Sequence, residues 1–334
     1  MKLRRRALLV GINQYAQKSM NLNSAVADAQ AMARMLRRHQ DHTANYDCRI
    51  WANQTEYGGP ITRAALRKAV QQLFTDFRGD VLFYFSGHGS ISATGGWLVT
   101  CDGTPNDWGI SMGELLQFAL YSQANDILLI LDCCHAGDLG NWSTQGTERG
   151  TRTALLREDM TIIAASTPKE VAFEGADHGY FTASVLNALE GGAADPMGWV
   201  TAPSIYAYVE RRFGSGPQQP VYKSHAAQVS VIRQCAPLIE RRKLDYLIEV
   251  FPTHDFHFKL TPGFEPEGRN GKARKPVDPR KVELAYLFKE YRDAGLLKPT
   301  IPGEQLYWTA LRSHTVELTL RGQEYWWLVK QGKI

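Results

Sequence analysis

Short runs of almost uninterrupted apolar residues, each about the length of one strand, recur through the first 235 residues and limit the fold more than any other feature. Residues 7–12, 80–86, 126–133 and 161–166 are dense in Val, Ile, Leu and Phe, and 48–51 and 97–100 read as two further strands. A strand with one wet face alternates apolar and polar residues. One that is apolar on both faces must be covered on both, as in a parallel sheet between layers of helices. Segments with helical spacing lie between the runs, at 25–38, 62–77, 111–121 and 181–189, the third opening on a Ser111–Glu114 capping signature. This alternation predicts an α/β domain over 1–235, with a mostly parallel sheet in a three-layer α/β/α arrangement. In such sheets the chemistry gathers at the carboxyl ends of the strands.

The pattern stops after Cys235. A polar stretch rich in proline and glycine, 262–279, predicts a connector over 236–279 and a small, mainly helical domain over 280–334. Helices are expected there at 281–294, 303–312 and 320–330, with a strand at 315–318. Residues 138–157, rich in Gly, Thr and Arg, read as a long loop of the kind that is functional or disordered.

The net charge of +4 lies beyond residue 235 and is too small to call for a polyanionic partner. The five cysteines form no zinc-type spacing and no even disulfide framework, so a reducing, cytoplasmic setting is expected. Although Lys2 to Arg6 imitates the start of a signal peptide, the apolar stretch 7–12 is too short to complete one. No run approaches the roughly 18 apolar residues of a membrane span. No cofactor, metal or membrane partner is expected.

Two strand ends carry the chemistry. One apolar run closes on Asp132-Cys133-Cys134-His135-Ala136-Gly137, another on Ser86-Gly87-His88-Gly89. A thiol needs a base to take its proton and N–H donors to hold the oxyanion that forms on attack. His88 can be that base. Gly89 leaves its N–H open to a substrate carbonyl, and the N–H of the nucleophile is the second donor. Adjacent strand residues face opposite sides, so Cys133 and Cys134 cannot share one role. Zinc is a poor alternative, because Cys133, Cys134 and His135 are too crowded to give three ligands to one tetrahedral ion.

With these segments in view, residues 1–235 resemble the caspase-like cysteine peptidases, in particular the metacaspase and bacterial caspase-homologue branch. The resemblance is carried by Ala7-Leu8-Leu9-Val10-Gly11-Ile12-Asn13, Ala25-Val26-Ala27-Asp28-Ala29, the two strand ends, Ala165-Ser166 and His178-Gly179-Tyr180-Phe181-Thr182. His88 and Cys134 stand close to the roughly 50 residues apart given for caspases. The family pattern Asp-x-Cys-His-Ser-Gly, from which Ala136 departs, implies Cys134 as nucleophile and His88 as base. It also implies an oxyanion hole from Gly89 and Cys134, with Cys133 and His135 structural.

The resemblance further implies that Asp28 and Asp132 line an acidic S1 pocket. Two carboxylates there suit a guanidinium or an ammonium, hence cleavage of protein or peptide substrates after Arg or Lys. Arg149, Arg152 and Arg157 are sites such an enzyme could cut in itself. For bacterial homologues with an appended domain, a role in cell death or defence is implied. Residues 316–322, leading into Tyr325-Trp326-Trp327, resemble the closing segment of winged-helix domains. The modest charge favours a regulatory protein partner there over nucleic acid. A catalytically silent caspase-like binding protein, and a DNA-binding regulator acting through the C-terminal domain, are the competing readings.

Overall fold

The apolar runs lie side by side in one sheet. The computed structural model describes residues 4–92, 95–105, 107–133, 156–165, 178–214, 219–265 and 278–334. Two compact units result: Met1–Ala194 with Trp199–Cys235, and Asp195–Gly198 with Ala236–Ile334. The first unit begins β1 (Arg5–Gly11), α1 (Ala25–Arg37), β2 (Asp47–Ala52), α2 (Arg63–Phe74) and β3 (Asp80–Ser86). It continues through β4 (Gly89–Ser92), β5 (Gly95–Thr104), β6 (Asp107–Ser111), α3 (Met112–Leu120), β7 (Asp126–Asp132) and β8 (Met160–Ala164). Then come α4 (Tyr180–Asn187), β9 (Trp199–Thr201), α5 (Ala202–Phe213), β10 (Val221–His225) and β11 (Val231–Gln234).

The main sheet has the order β10-β8-β7-β3-β1-β2, parallel throughout except for β10. All of β3 and the interior of β7 are buried, as their two-sided apolar sequences require. Leu8 and Val10 of β1 face one core, shared with Leu66 and Val70 of α2 and Leu115 of α3. Ala7 and Leu9 face the other, shared with Met32 and Leu36 of α1, Val185 of α4 and Val209 of α5. The architecture is thus the three-layer, mostly parallel α/β arrangement that the alternation predicts.

The strand ends are level where it matters. Ser86 of β3 pairs with Gly11 of β1 on one side and Asp132 of β7 on the other. The chain order reverses across β1 and β3, with β2 outside one and β7 outside the other, which places a crevice beyond these carboxyl ends. A Cβ on Gly11 would run into the Ala25 carbonyl, so this glycine lets the start of α1 settle on the end of β1.

Several elements go beyond the expectation. The run at 97–100 is the middle of β5, which joins β4 and β6 in a separate three-stranded antiparallel sheet. The helix α5 and the strands β9 to β11 lie outside the expected elements. Ser111 does cap α3, its hydroxyl accepting from the Glu114 N–H at 3.1 Å.

The second unit contains α6 (Arg241–Leu244), α7 (Tyr246–Val250), β12 (Phe258–Lys259), α8 (Pro279–Asp293), β13 (Leu297–Pro299), α9 (Leu306–Leu311), β14 (Thr315–Leu318) and α10 (Leu320–Lys330). Its sheet is antiparallel with order β12-β14-β13. The expected connector at 236–279 is corrected over its described part. It carries α6, α7 and β12, and Phe251 and Phe258 pack their rings on Phe288 of α8 at 6.0 and 5.1 Å. Buried aromatics set among polar residues give this segment a core that its average composition conceals. Among the described residues, no helix is long and apolar enough to cross a membrane.

Candidate active site

Beyond β3 the chain turns through Gly87 into His88. The His88 N–H donates to the Tyr15 hydroxyl at 2.9 Å, and the two rings lie 5.0 Å apart, centroid to centroid. A side chain at position 87 would not fit, since its Cβ would come 2.8 Å from that hydroxyl and 3.1 Å from the Phe85 ring. The His88 carbonyl accepts from the Val99 N–H at 3.0 Å. The residue is therefore held from both sides of its backbone.

Its ring is held as well. His88 Nε2 lies 2.7 Å from the carbonyl oxygen of Met20, which ends the single 3-10 turn Lys18–Met20. A carbonyl oxygen only accepts, so Nε2 bears a proton, and in a neutral ring Nδ1 is the nitrogen with the lone pair. The imidazole is thereby set up as a base at Nδ1. Tyr15 is buried and burial pushes its pKa up, so its hydroxyl stays neutral beside the histidine. Gly89 opens β4 opposite Leu98, immediately after the base.

Asp28, in the first turn of α1, is 1% exposed. It accepts from the Ser86 hydroxyl at 3.1 Å, from His178 Nδ1 at 2.8 Å, and from the Gly179 N–H at 3.3 and 3.4 Å to its two oxygens. Burial raises its pKa, and these hydrogen bonds only partly oppose that. Asp132, half-buried at the end of β7, accepts from the Thr182 hydroxyl at 2.5 Å and the Thr182 N–H at 3.3 Å. Because the Thr182 proton points at the carboxylate, the Tyr84 hydroxyl donates in turn to Thr182, at 2.5 Å. Burial, with the nearby charge of Asp28 added, pushes Asp132 up to about 7.

The two carboxylates converge. A Cβ on Gly179 would stand 3.0 Å from Asp132 Oδ2 and 3.3 Å from Asp28 Oδ2. Two acids drawn from α1 and β7 thus meet under one glycine, beside the strand end that delivers His88. Such a pair costs stability when both are charged and gains from an incoming cation.

Of the residues expected at the site, His88, Gly89, Asp28 and Asp132 gather at the ends of β1, β3 and β7. Cys134, Arg149 and Arg152 lie outside the described residues. Cys133 is 5% exposed and packs in the core shared with α2 and α3. The Arg157 guanidinium donates to the carbonyls of Ser122, Ala124 and Glu158, which commits it to a neighbouring loop. Sequence reasoning missed Tyr15, Met20, Ser86 and Thr182 as supports. It included His178 and Thr182 in a matching segment but gave them no task. A backbone carbonyl such as that of Met20 leaves no sequence signal at all.

Fold and site together define a parallel α/β protein with a histidine and two converging acids at the carboxyl edge of its sheet. A family model described as "Caspase domain" matches residues 4–232, and the chain belongs to that family. Its first unit is accordingly a caspase-family cysteine peptidase fold, a class that acts on protein substrates. No curated relative matches the sequence. Similar solved structures include a Geobacter sulfurreducens protein, GSU0716, at 17% identity and TM-score 0.48, covering 70% of this chain and 98% of that one. Another is caspase-1 from Spodoptera frugiperda, at 13% identity and TM-score 0.47, covering 70% and 93% respectively.

Proposed function

We propose that this protein is a cysteine endopeptidase that cleaves after Arg or Lys, with Cys134 as nucleophile and His88 as base. The observation that carries the specificity is the convergence of Asp28 and Asp132 beneath Gly179. A P1 guanidinium or ammonium entering beside them relieves the repulsion between a buried and a half-buried acid, whereas a P1 carboxylate would add to it.

In the proposed reaction the Cys134 thiol gives its proton to His88 Nδ1, and the thiolate attacks the scissile carbonyl carbon. The N–H groups of Gly89 and Cys134 hold the resulting oxyanion. His88 then returns the proton to the leaving amine as the C–N bond breaks, leaving a thioester. Water, deprotonated by the same nitrogen, hydrolyses it and restores the thiol. Tyr15 and Met20 keep the imidazole oriented through both halves. Arg149 and Arg152 are the proposed self-cleavage sites; the carbonyl contacts of Arg157 make it the poorest of the three.

The test is a set of fluorogenic peptides with Arg, Lys or Asp at P1, offered to the full chain and to Cys134→Ala. Cleavage after Arg or Lys that is lost by at least about a thousandfold in the variant is expected. Cleavage after Asp, or a Cys134→Ala protein that keeps its activity, overturns the reading.

A further inference from the structure

Asp28 is the less exposed of the two acids at the site, and it already has company. A carboxylate offers about four lone-pair positions. The Ser86 hydroxyl, the Gly179 N–H reaching both oxygens, and His178 Nδ1 together supply contacts for all of them. Ser86 and Gly179 are themselves buried. The His178 side chain is 27% exposed, so among these partners it alone stands on the solvent side of the carboxylate. Asp132 and the neutral hydroxyl of Tyr84 are the other titratable groups facing Asp28 among the described residues.

A basic substrate side chain therefore meets an acid that is already capped. It cannot approach through the sheet, where Ser86 closes the way, nor through the backbone at Gly179. Among the described residues, the group on the exposed side of Asp28 Oδ1 is the His178 imidazole. We propose that His178 is the internal occupant of the basic-residue pocket, capping Asp28 when substrate is absent and giving way to the guanidinium or ammonium that replaces it. This rests on the Arg/Lys reading above and adds a residue that sets how strongly a basic side chain must bind before it gains Asp28.

The cap has a physical purpose in the empty pocket. Two neighbouring acids without a cation would be costly, and an N–H donor from His178 offsets part of that cost. The same contact has to be broken before the substrate can take its place, so it subtracts from substrate affinity. Gly179 follows directly and ties the same carboxylate with its backbone, which lets the histidine side chain leave while the main chain stays.

The experiment uses the full chain with two readouts, KM for an Arg peptide and calorimetric Kd for benzamidine, which needs no catalysis. Removing the cap in His178→Ala is expected to lower both by roughly tenfold, the size of one charge-assisted hydrogen bond that need no longer be broken. His178→Lys sets a permanent ammonium against Asp28 and is expected to raise both, which gives a second variant of opposite sign. Circular dichroism checks that each variant is folded. If the wild type cleaves after Arg but His178→Ala leaves both constants unchanged or raises them, the proposal is overturned and the specificity reading survives. If the wild type neither cleaves after Arg or Lys nor binds benzamidine, the specificity reading falls and takes this proposal with it.

Discussion

Replacing Asp132 by Asn should make the protein more stable while removing its grip on basic side chains. The amide keeps an oxygen to accept from the Thr182 hydroxyl and N–H, so the local hydrogen bonds survive and the change isolates the charge. In the folded protein Asp132 loses its proton only near pH 7, against an ordinary value of 3.8. Between those values the native state holds a proton that the unfolded chain has released. Stability conferred by this group is thus greatest at low pH, falls as pH rises through that window, and is flat above about 7. At ~1.4 kcal/mol per pH unit the full interval amounts to ~4 kcal/mol at most. Part of it belongs to repulsion from Asp28 and part to residual exposure of the group, which leaves ~2 kcal/mol as the working expectation. Urea unfolding of wild type and Asp132→Asn at pH 5 and pH 8 measures it directly. Somewhat over half of the interval lies above pH 5, so the variant should gain on the wild type by ~1 kcal/mol between the two conditions. Parallel stabilities at both pH values would refute the claim that a charged Asp132 is held at a cost.

Other expectations follow from single contacts. Tyr15→Phe keeps the ring against His88 but removes the acceptor of its N–H, so kcat in peptide cleavage should fall by roughly tenfold with a smaller effect on KM. Arg5 and Asp80 form a largely buried ion pair at 3.0 Å; Arg5→Met should cost ~3 kcal/mol in denaturant unfolding, and adding Asp80→Asn should recover much of it. In the second unit, a Cβ on Gly322 would collide with the Leu296 carbonyl. Gly322→Ala should lower the unfolding free energy by ~3 kcal/mol or more, and an unchanged melting profile would show that α10 can shift without penalty.

The parts of the fold that were legible in the sequence are those whose physics is local and two-sided. The run 80–86 reads as a covered strand because its interior, Val81 to Phe85, is apolar or aromatic on both faces, and β3 has those bounds. Asp28 is legible too, through its matching segment, although a helix first turn is an ordinary place for an acid. Less legible were β4 and β6, short antiparallel strands whose pairing depends on β5 and not on their own sequences. The second unit was obscured for another reason. It borrows Asp195–Gly198 from the middle of the chain, where the Tyr325 hydroxyl donates to Asp195 Oδ2 at 3.2 Å, and a linear scan cannot find a unit assembled from separate stretches. The site divides in the same way. Side chains with a characteristic chemistry announced themselves, whereas the groups that hold them, such as Tyr15 and Met20, show only in three dimensions.

The contact between Met20 and His88 has a consequence for proton traffic. With Nε2 occupied by a carbonyl that can never give a proton back, the imidazole has one working edge and no rear exit. In the proposed reaction a proton taken from the thiol therefore arrives at Nδ1 and leaves from Nδ1, because Nε2 cannot relay it through the ring. Acid and base are then one nitrogen used twice, and the two halves of the reaction are tied by stoichiometry.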